Sequence, residues 1–284
     1  LRNSSAASDV YKRQNIYETS AISGKRCQAL GGAKNHALIL PDADIDYTTD
    51  QLISAAFGSS GQRCMALSVA VVISDIKDEF IKNLEKKVLK LKYGLDDLNS
   101  NSFGPLVSKE HLESVKNYIN MSEEEGAKVL VDGRDLLKRK NSNNGYFLGP
   151  TIIDNVSSNM RSYQNEIFGP VLQIIEVNKL SDAIKIINDN RFGNGCCIFT
   201  RSGEQARSFS ENVEIGMVGV NIPLPVPSSF HSFGGWKNSL FGDLNIYGPD
   251  GVRFYTQRKT ITQRWPSSGS SKGVDLSMPN NLKQ

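Results

Sequence analysis

Short apolar runs alternate with amphipathic stretches along most of this chain of 284 residues, and no internal repeat interrupts them. That alternation predicts an α/β fold on a mainly parallel sheet. Ala37 to Leu40 reads as a buried strand. Asp44 to Phe57 follows as a helix, with Ile45, Leu52, Ile53 and Ala56 on one face. Leu67 to Ile73 is a strong β run. Ile76, Phe80, Leu84, Val88 and Leu91 then recur at helical spacing, with lysines on the opposite face. The series continues as a helix at Ser108 to Glu125 and strands at Lys128 to Val131 and Thr151 to Ile153. It closes as a strand at Val171 to Val177, a helix at Leu180 to Asn190, a strand at Cys196 to Thr200, a helix from Glu204 and a strand at Met217 to Val220. Arg134 to Asn144, polar, basic and Asn-rich, reads as a surface loop.

Composition narrows the function classes. A net charge of +3, with both signs interspersed, argues for neither nucleic acid nor membrane as partner. No apolar run reaches the roughly 18 residues of a membrane-spanning helix. The four cysteines (Cys27, Cys64, Cys196 and Cys197) have no metal-ligand spacing, so no metal site is expected and free thiols in a reducing compartment are. The three histidines, His36, His111 and His231, lie in no Cys/His or Ser/His/Asp motif.

The most informative string is Phe57-Gly58-Ser59-Ser60-Gly61-Gln62-Arg63-Cys64-Met65. It sets a cysteine just past a glycine-rich turn that follows a helix and precedes a strand. A nucleophilic cysteine needs open backbone amides and nearby positive charge. Gly58 and Gly61 allow backbone N–H groups to approach, and Arg63 supplies a fixed charge. A buried structural cysteine is the alternative on composition alone. The surrounding glycines, arginine and strand favour the nucleophile.

Three motifs in order, Leu30-Gly31-Gly32, Gly61-Gln62-Arg63-Cys64 and Glu166-Ile167-Phe168-Gly169-Pro170, resemble the NAD-dependent aldehyde dehydrogenase superfamily. The fuller phrases Gly31 to His36 and Gly61 to Ala66 resemble one branch of it, the CoA-acylating methylmalonate-semialdehyde dehydrogenases. Gly149 to Val156, Gly219-Val220-Asn221 with its Pro-rich sequel, and Phe254-Tyr255-Thr256 fit the same branch. The resemblance runs from about Ile22 to Trp265. It implies a catalytic domain with a mainly parallel twisted sheet whose N-terminal dinucleotide-binding domain is largely missing here.

The resemblance also assigns roles. Cys64 would attack an aldehyde carbon, its oxyanion held by the Cys64 N–H and by an asparagine amide from the missing half; each such donor is worth on the order of 10²–10³ in rate. Hydrolytic members carry a glutamate just before Leu-Gly-Gly, whereas this chain has Ala29. A methyl group takes no proton, so a thiol, naturally coenzyme A, is expected to resolve the thioester. Arg63 would grip a substrate carboxylate; packing at the surface beside Cys64 is its other reading. Glu166 and Phe168 would meet the nicotinamide end of NAD, carboxylate to ribose hydroxyls and ring against the cofactor; alone, the string suits a strand-entry turn with a core Phe. Asn35 and His36 fall near the nucleophile with no chemical role implied. Cys27, Cys196 and Cys197 read as small core residues, and Pro223 to Pro227 as a substrate-pocket loop.

The expected organisation is a non-native leader at 1–14, a remnant of the NAD-binding domain at 15–32, the catalytic domain at 33–258, an oligomerisation strand at 259–266 and a flexible tail at 267–284. A homotetramer is expected, in the mitochondrial matrix if the source is eukaryotic and in the cytoplasm otherwise. The expected reaction is NAD-dependent oxidation of methylmalonate or malonate semialdehyde to propionyl-CoA or acetyl-CoA with loss of CO2, as in valine and pyrimidine catabolism. Two rivals stand beside it: a hydrolytic aldehyde dehydrogenase with an unusual base, and a non-catalytic fragment that only associates with partner subunits.

Overall fold

The computed structural model describes residues 5–93, 102–136, 145–269 and 276. Helix α1 (Ser5–Ile22) leads to a short strand β1 (Ala29–Leu30) and then to β2 (Asn35–Ile39), the first strand of the main sheet. Next come α2 (Ile45–Phe57), β3 (Leu67–Ile73), α3 (Lys77–Val88) and the small pair β4 (Lys92–Tyr93) and β5 (Ser102–Phe103). The chain continues through α4 (Lys109–Glu124), β6 (Lys128–Val131), α5 (Gly133–Leu136), β7 (Thr151–Asp154), α6 (Arg161–Gln164) and β8 (Val171–Val177). It then runs through α7 (Leu180–Asp189), β9 (Phe192–Gly193), β10 (Gly195–Phe199), α8 (Gly203–Asn212) and β11 (Met217–Val220). The described elements end with β12 (Trp236–Lys237), β13 (Leu240–Phe241) and α9 (Pro249–Tyr255).

The main sheet has seven strands in the order β11-β10-β2-β3-β8-β7-β6, parallel throughout except that the edge strand β6 runs antiparallel to β7. A parallel sheet carries helices on both faces, which is why its strands read as nearly continuous apolar runs. Leu38, Val69, Val71, Ile175 and Cys196 point to one face, under Val115 and Ile119 of α4, Ile187 of α7 and Phe209 of α8. Ala37, Ile39, Ala70, Ile174 and Cys197 point to the other, under Leu52 and Phe57 of α2 and Phe80 and Leu84 of α3. The adjacent cysteines are thus core residues of opposite layers, as pleating requires; Cys27 is only half-buried.

The helices start where the sequence places caps. Asp44 accepts the Tyr47 N–H at 3.0 Å, and Ser108 accepts that of His111 at 3.1 Å. Helix α1 spans residue 14, the expected end of the leader. Residues 5–22 hold neither glycine nor proline, so nothing local breaks a helix there. Residues 259–266, expected to pair between subunits, form no strand within this chain. The loop expected at Arg134 to Asn144 begins within α5, and its residues 137–144 lie outside the described residues. Most of the expected flexible tail, 270–275 and 277–284, also lies outside them.

One feature of the topology positions the site. Asn35 opens β2, Cys64 precedes β3, Phe168 and Gly169 precede β8, and Asn194 precedes β10. These four parallel strands are neighbours, so the segments that lead into them converge at a single edge of the sheet.

Candidate active site

Helix α2 ends at Phe57, and Gly58 to Gly61 form a tight turn in which Ser59, Ser60 and Gly61 all have positive φ (53°, 58° and 67°). Left-handed backbone costs a non-glycine residue about 1 kcal/mol or more, so the turn persists only because its surroundings hold it. Ser59 accepts the Arg63 Nε–H through Oγ at 2.9 Å and the Gln62 N–H through its carbonyl at 3.0 Å. Ser60 Oγ donates to Gly104 O. Gln62 donates to Pro105 O and accepts from Val107 N–H, which docks the turn on residues 104–107. A Cβ on Gly61 would sit 2.1 Å from Gly169 O, so the two glycine motifs touch backbone to backbone.

This turn delivers Cys64 to solvent: it is the exposed member of the four free cysteines. Its carbonyl accepts two side-chain amides, Asn35 Nδ2 and Asn194 Nδ2, each at 2.9 Å. The preceding carbonyl, Arg63 O, accepts the Ala66 N–H at 3.1 Å. The Cys64 N–H makes no hydrogen bond among the described residues. The peptide is therefore fixed while the N–H beside the thiol stays available to an oxyanion. Asn35 does most of the fixing: it also donates to Ala66 O at 2.9 Å and accepts the Gly195 N–H at 3.0 Å, from a position 2% exposed. Asn35→Ala orphans these buried partners and is expected to lower unfolding free energy by about 2–4 kcal/mol in urea. Asn194→Ala, which leaves Cys64 O with one amide, is expected to cost about 1 kcal/mol. Equal losses for the two variants would disprove Asn35 as the main clamp.

A shallow, open pocket lies beside Cys64, lined on its other side by Glu166 to Gly169. Glu166 is the one acid among the lining residues. Its Oε1 accepts the Ala33 N–H at 3.1 Å, and Gly32 lets its Oε2 approach, since a Cβ there would lie 2.9 Å from it. Phe168 has φ +56° and is 38% exposed, and its carbonyl pairs with His111 Nε2 at 2.8 Å. The sequence placed Cys64, Arg63, Glu166 and Phe168 in one site, and all four line this pocket. Arg63 is exposed, tied by Nε to Ser59 and laid over Gly58, whose Cβ would meet Nη1 at 2.9 Å. It forms no ion pair among the described residues. Its guanidinium therefore supports the turn and also faces the pocket.

Beneath the pocket lies a layer whose structural role sequence reasoning missed. Lys34, Asn35 and His36 are buried side by side at the start of an apolar strand (2%, 2% and 0% exposed). Lys34 Nζ donates to Ser162 O at 2.7 Å and to Asn165 O at 2.9 Å. Burial pushes its pKa down to about 7, with Glu166 opposing the shift and Arg191 adding to it. His36 Nε2 pairs with the Tyr163 hydroxyl at 3.0 Å, and burial, reinforced by the Lys34 charge, lowers its pKa to about 3. The available signal was a run of polar residues where the strand pattern demands apolar ones. Asn194 gave no such signal, because its role depends on a contact 130 residues away.

Ala29 is buried and paired with Phe241 in β1–β13, and no carboxylate stands at its position. Pro223 to Pro227, read as a substrate-pocket loop, follow β11 and do not line the pocket around Cys64. Among the described residues no cluster of His, Cys, Asp and Glu suits a metal ion.

An exposed thiol before a parallel strand, facing a carboxylate and an aromatic ring, defines a cysteine-centred site on an α/β domain. Residues 9–261 match the aldehyde dehydrogenase family, and the chain belongs to it. It is 51% identical over 265 residues to the malonate-semialdehyde dehydrogenase of Pseudomonas aeruginosa, covering 93% of this chain and 53% of that protein. The methylmalonate-semialdehyde dehydrogenase of Oceanimonas doudoroffii superposes with a TM-score of 0.89 at 56% identity, over 92% of this chain and 54% of that one. A Sinorhizobium meliloti protein assigned the same methylmalonate-semialdehyde activity and solved with NAD superposes at 0.87 with 44% identity, over 93% of this chain and 54% of its own. The chain spans about half the length of the curated relatives it matches.

Proposed function

We propose that this chain carries the nucleophile of a CoA-acylating, NAD-dependent dehydrogenase of malonate or methylmalonate semialdehyde. The observation that carries the reading is Cys64, exposed in the pocket with its own N–H available and with Glu166 and Phe168 opposite. Cys64 Sγ adds to the aldehyde carbon, and the resulting oxyanion accepts the Cys64 N–H. Arg63 receives the substrate's carboxylate, its planar fork suiting that group. The Glu166 carboxylate, backed by Ala33 N–H, and the exposed Phe168 ring make a polar and an apolar wall that fit a ribose and a nicotinamide. NAD⁺, when bound, accepts the hydride that leaves a thioester on Cys64.

With Ala29 where a base would stand, the β-carboxylate departs as CO2, leaving a thioester enolate that takes a proton at its α-carbon, and the acyl group then passes to the sulfur of coenzyme A as Cys64 leaves as the thiolate. The products are acetyl-CoA or propionyl-CoA, and a place in valine and pyrimidine catabolism belongs to the same proposal. So do a homotetramer and a location in the mitochondrial matrix of a eukaryote or the cytoplasm of a prokaryote. Glu166 favours one competing reading, since the only acid in the pocket could serve as base for hydrolysis. NADH formation by the full-length protein, measured with and without CoA, separates the two. Turnover that needs CoA is expected; equal turnover without it makes water the acceptor and overturns the acylating assignment.

A further inference from the structure

Lys34 is an unusual residue to find at the root of a central strand. It is 2% exposed, and its ammonium faces the two carbonyls, Ser162 O and Asn165 O, that close the turn before Glu166. Glu166 in turn accepts the N–H of Ala33, the residue next to Lys34. One stretch of chain, Ala33 and Lys34, thus holds the Glu166 segment through a backbone N–H from the pocket and through a side-chain ammonium from beneath. Asn165 is held from its other side by Arg191 Nη2, which donates to its Oδ1 at 2.9 Å. The charged and titratable groups facing Lys34 are Glu166, Arg191 and, two residues along its own strand, His36 with its partner Tyr163. His36 remains neutral in the folded protein at and above neutral pH, so Lys34 and Glu166 are the pair whose charges matter there.

We propose that Lys34 is a positioning residue for the cofactor edge of the pocket. Its ammonium draws the Ser162 and Asn165 carbonyls and the Glu166 carboxylate onto the Gly31–Gly32 turn, and loss of its proton loosens that edge. An amine keeps two N–H donors, so the tether weakens without breaking. What disappears is the positive charge that attracts Glu166. Burial brings the lysine close to this switch at neutral pH. The sign follows from linkage. Unfolded, Lys34 holds its proton up to about pH 10.4, whereas the folded protein releases it near 7, so stability rises with pH across that window. The cofactor edge behaves oppositely and is best ordered below the window.

The inference rests on the assignment of Glu166 to the cofactor, and the test separates the two. NAD⁺ is titrated calorimetrically against the full-length protein between about pH 6 and about pH 9, for wild type, Lys34→Gln, Lys34→Met and Glu166→Gln. Wild-type affinity is expected to fall about fivefold or more across this range, the lower end of coupling between linked sites. Both Lys34 variants are expected to stay flat at the wild-type alkaline level; Lys34→Gln keeps two N–H donors and serves if Lys34→Met fails to fold. Thermal stability of wild type relative to Lys34→Gln is expected to climb as pH rises above 7, a dependence that hydrogen bonding alone does not produce. A Lys34→Gln protein that follows the wild-type affinity curve, while Glu166→Gln binds weakly, overturns the role of Lys34. Glu166→Gln binding NAD⁺ as wild type does overturns the cofactor assignment, and this proposal with it.

Discussion

Gly61→Ala is expected to be among the most damaging single-atom additions possible in this chain. The residue sits at φ +67°, and the new methyl would meet Gly169 O at 2.1 Å, a distance no Cβ tolerates. Neither neighbour yields easily. Gly169 packs against Val115 of α4, and the Gly61 turn is docked on residues 104–107. Backbone strain and overpacking together are expected to cost about 3 kcal/mol or more. For a domain of this size that lowers Tm by roughly 6–12 °C in a thermal melt. Gly203→Ala is the control, since its Cβ would meet nothing within 4 Å and it lies in helix α8, where alanine is the better former. The two motifs would also move apart, taking Cys64 away from Phe168, so activity should fall further than stability. A Gly61→Ala protein that melts with the wild type would show that the two segments do not touch.

Cys64→Ala has the larger effect on chemistry and a small one on the fold. Removing the nucleophile of a covalent enzyme costs on the order of 10⁶ in kcat. The full-length Cys64→Ala protein is therefore expected to form no measurable NADH from a semialdehyde. The side chain is exposed, and the clamp that orients its peptide grips the carbonyl, which alanine keeps. The melting curve should be nearly unchanged. Iodoacetamide gives a second check. Cys196 and Cys197 are buried and burial pushes both thiols well up, while Cys27 is half-buried. The rapidly labelled thiol of the wild type should be absent from Cys64→Ala. Rapid labelling that persists would move the reactive thiol elsewhere.

Legibility followed physical range. Strands β3, β8 and β11 were readable to the residue, because a strand of a parallel sheet is a nearly continuous apolar run with nothing else to explain it. Helices α2 and α4 were bounded by their own caps. The two-residue ladders β1–β13 and β9–β12 were not, since two residues have no period to detect. In the site, Cys64 and Arg63 announced themselves through local chemistry, and Glu166 and Phe168 through an ordered resemblance. The Gly61–Gly169 contact, the double amide on Cys64 O and the ammonium under Glu166 depend on which strands pair. A chain read one segment at a time does not contain that information.

The pocket forms where strands begin, so each of its walls arrives with a different strand, and the last arrives late. Cys64 is gripped by Asn194, 130 residues further on, and Asn35 by the Gly195 amide, 160 residues further on. A ribosome adding roughly 5–20 residues per second needs roughly 7–26 s to cover the first of those intervals. Throughout that time the thiol and the Asn35 amide are already made, yet the Asn194 amide and the Gly195 N–H that holds Asn35 do not exist. The nascent chain therefore carries its most reactive group half-clamped, and the site is completed with the arrival of β10.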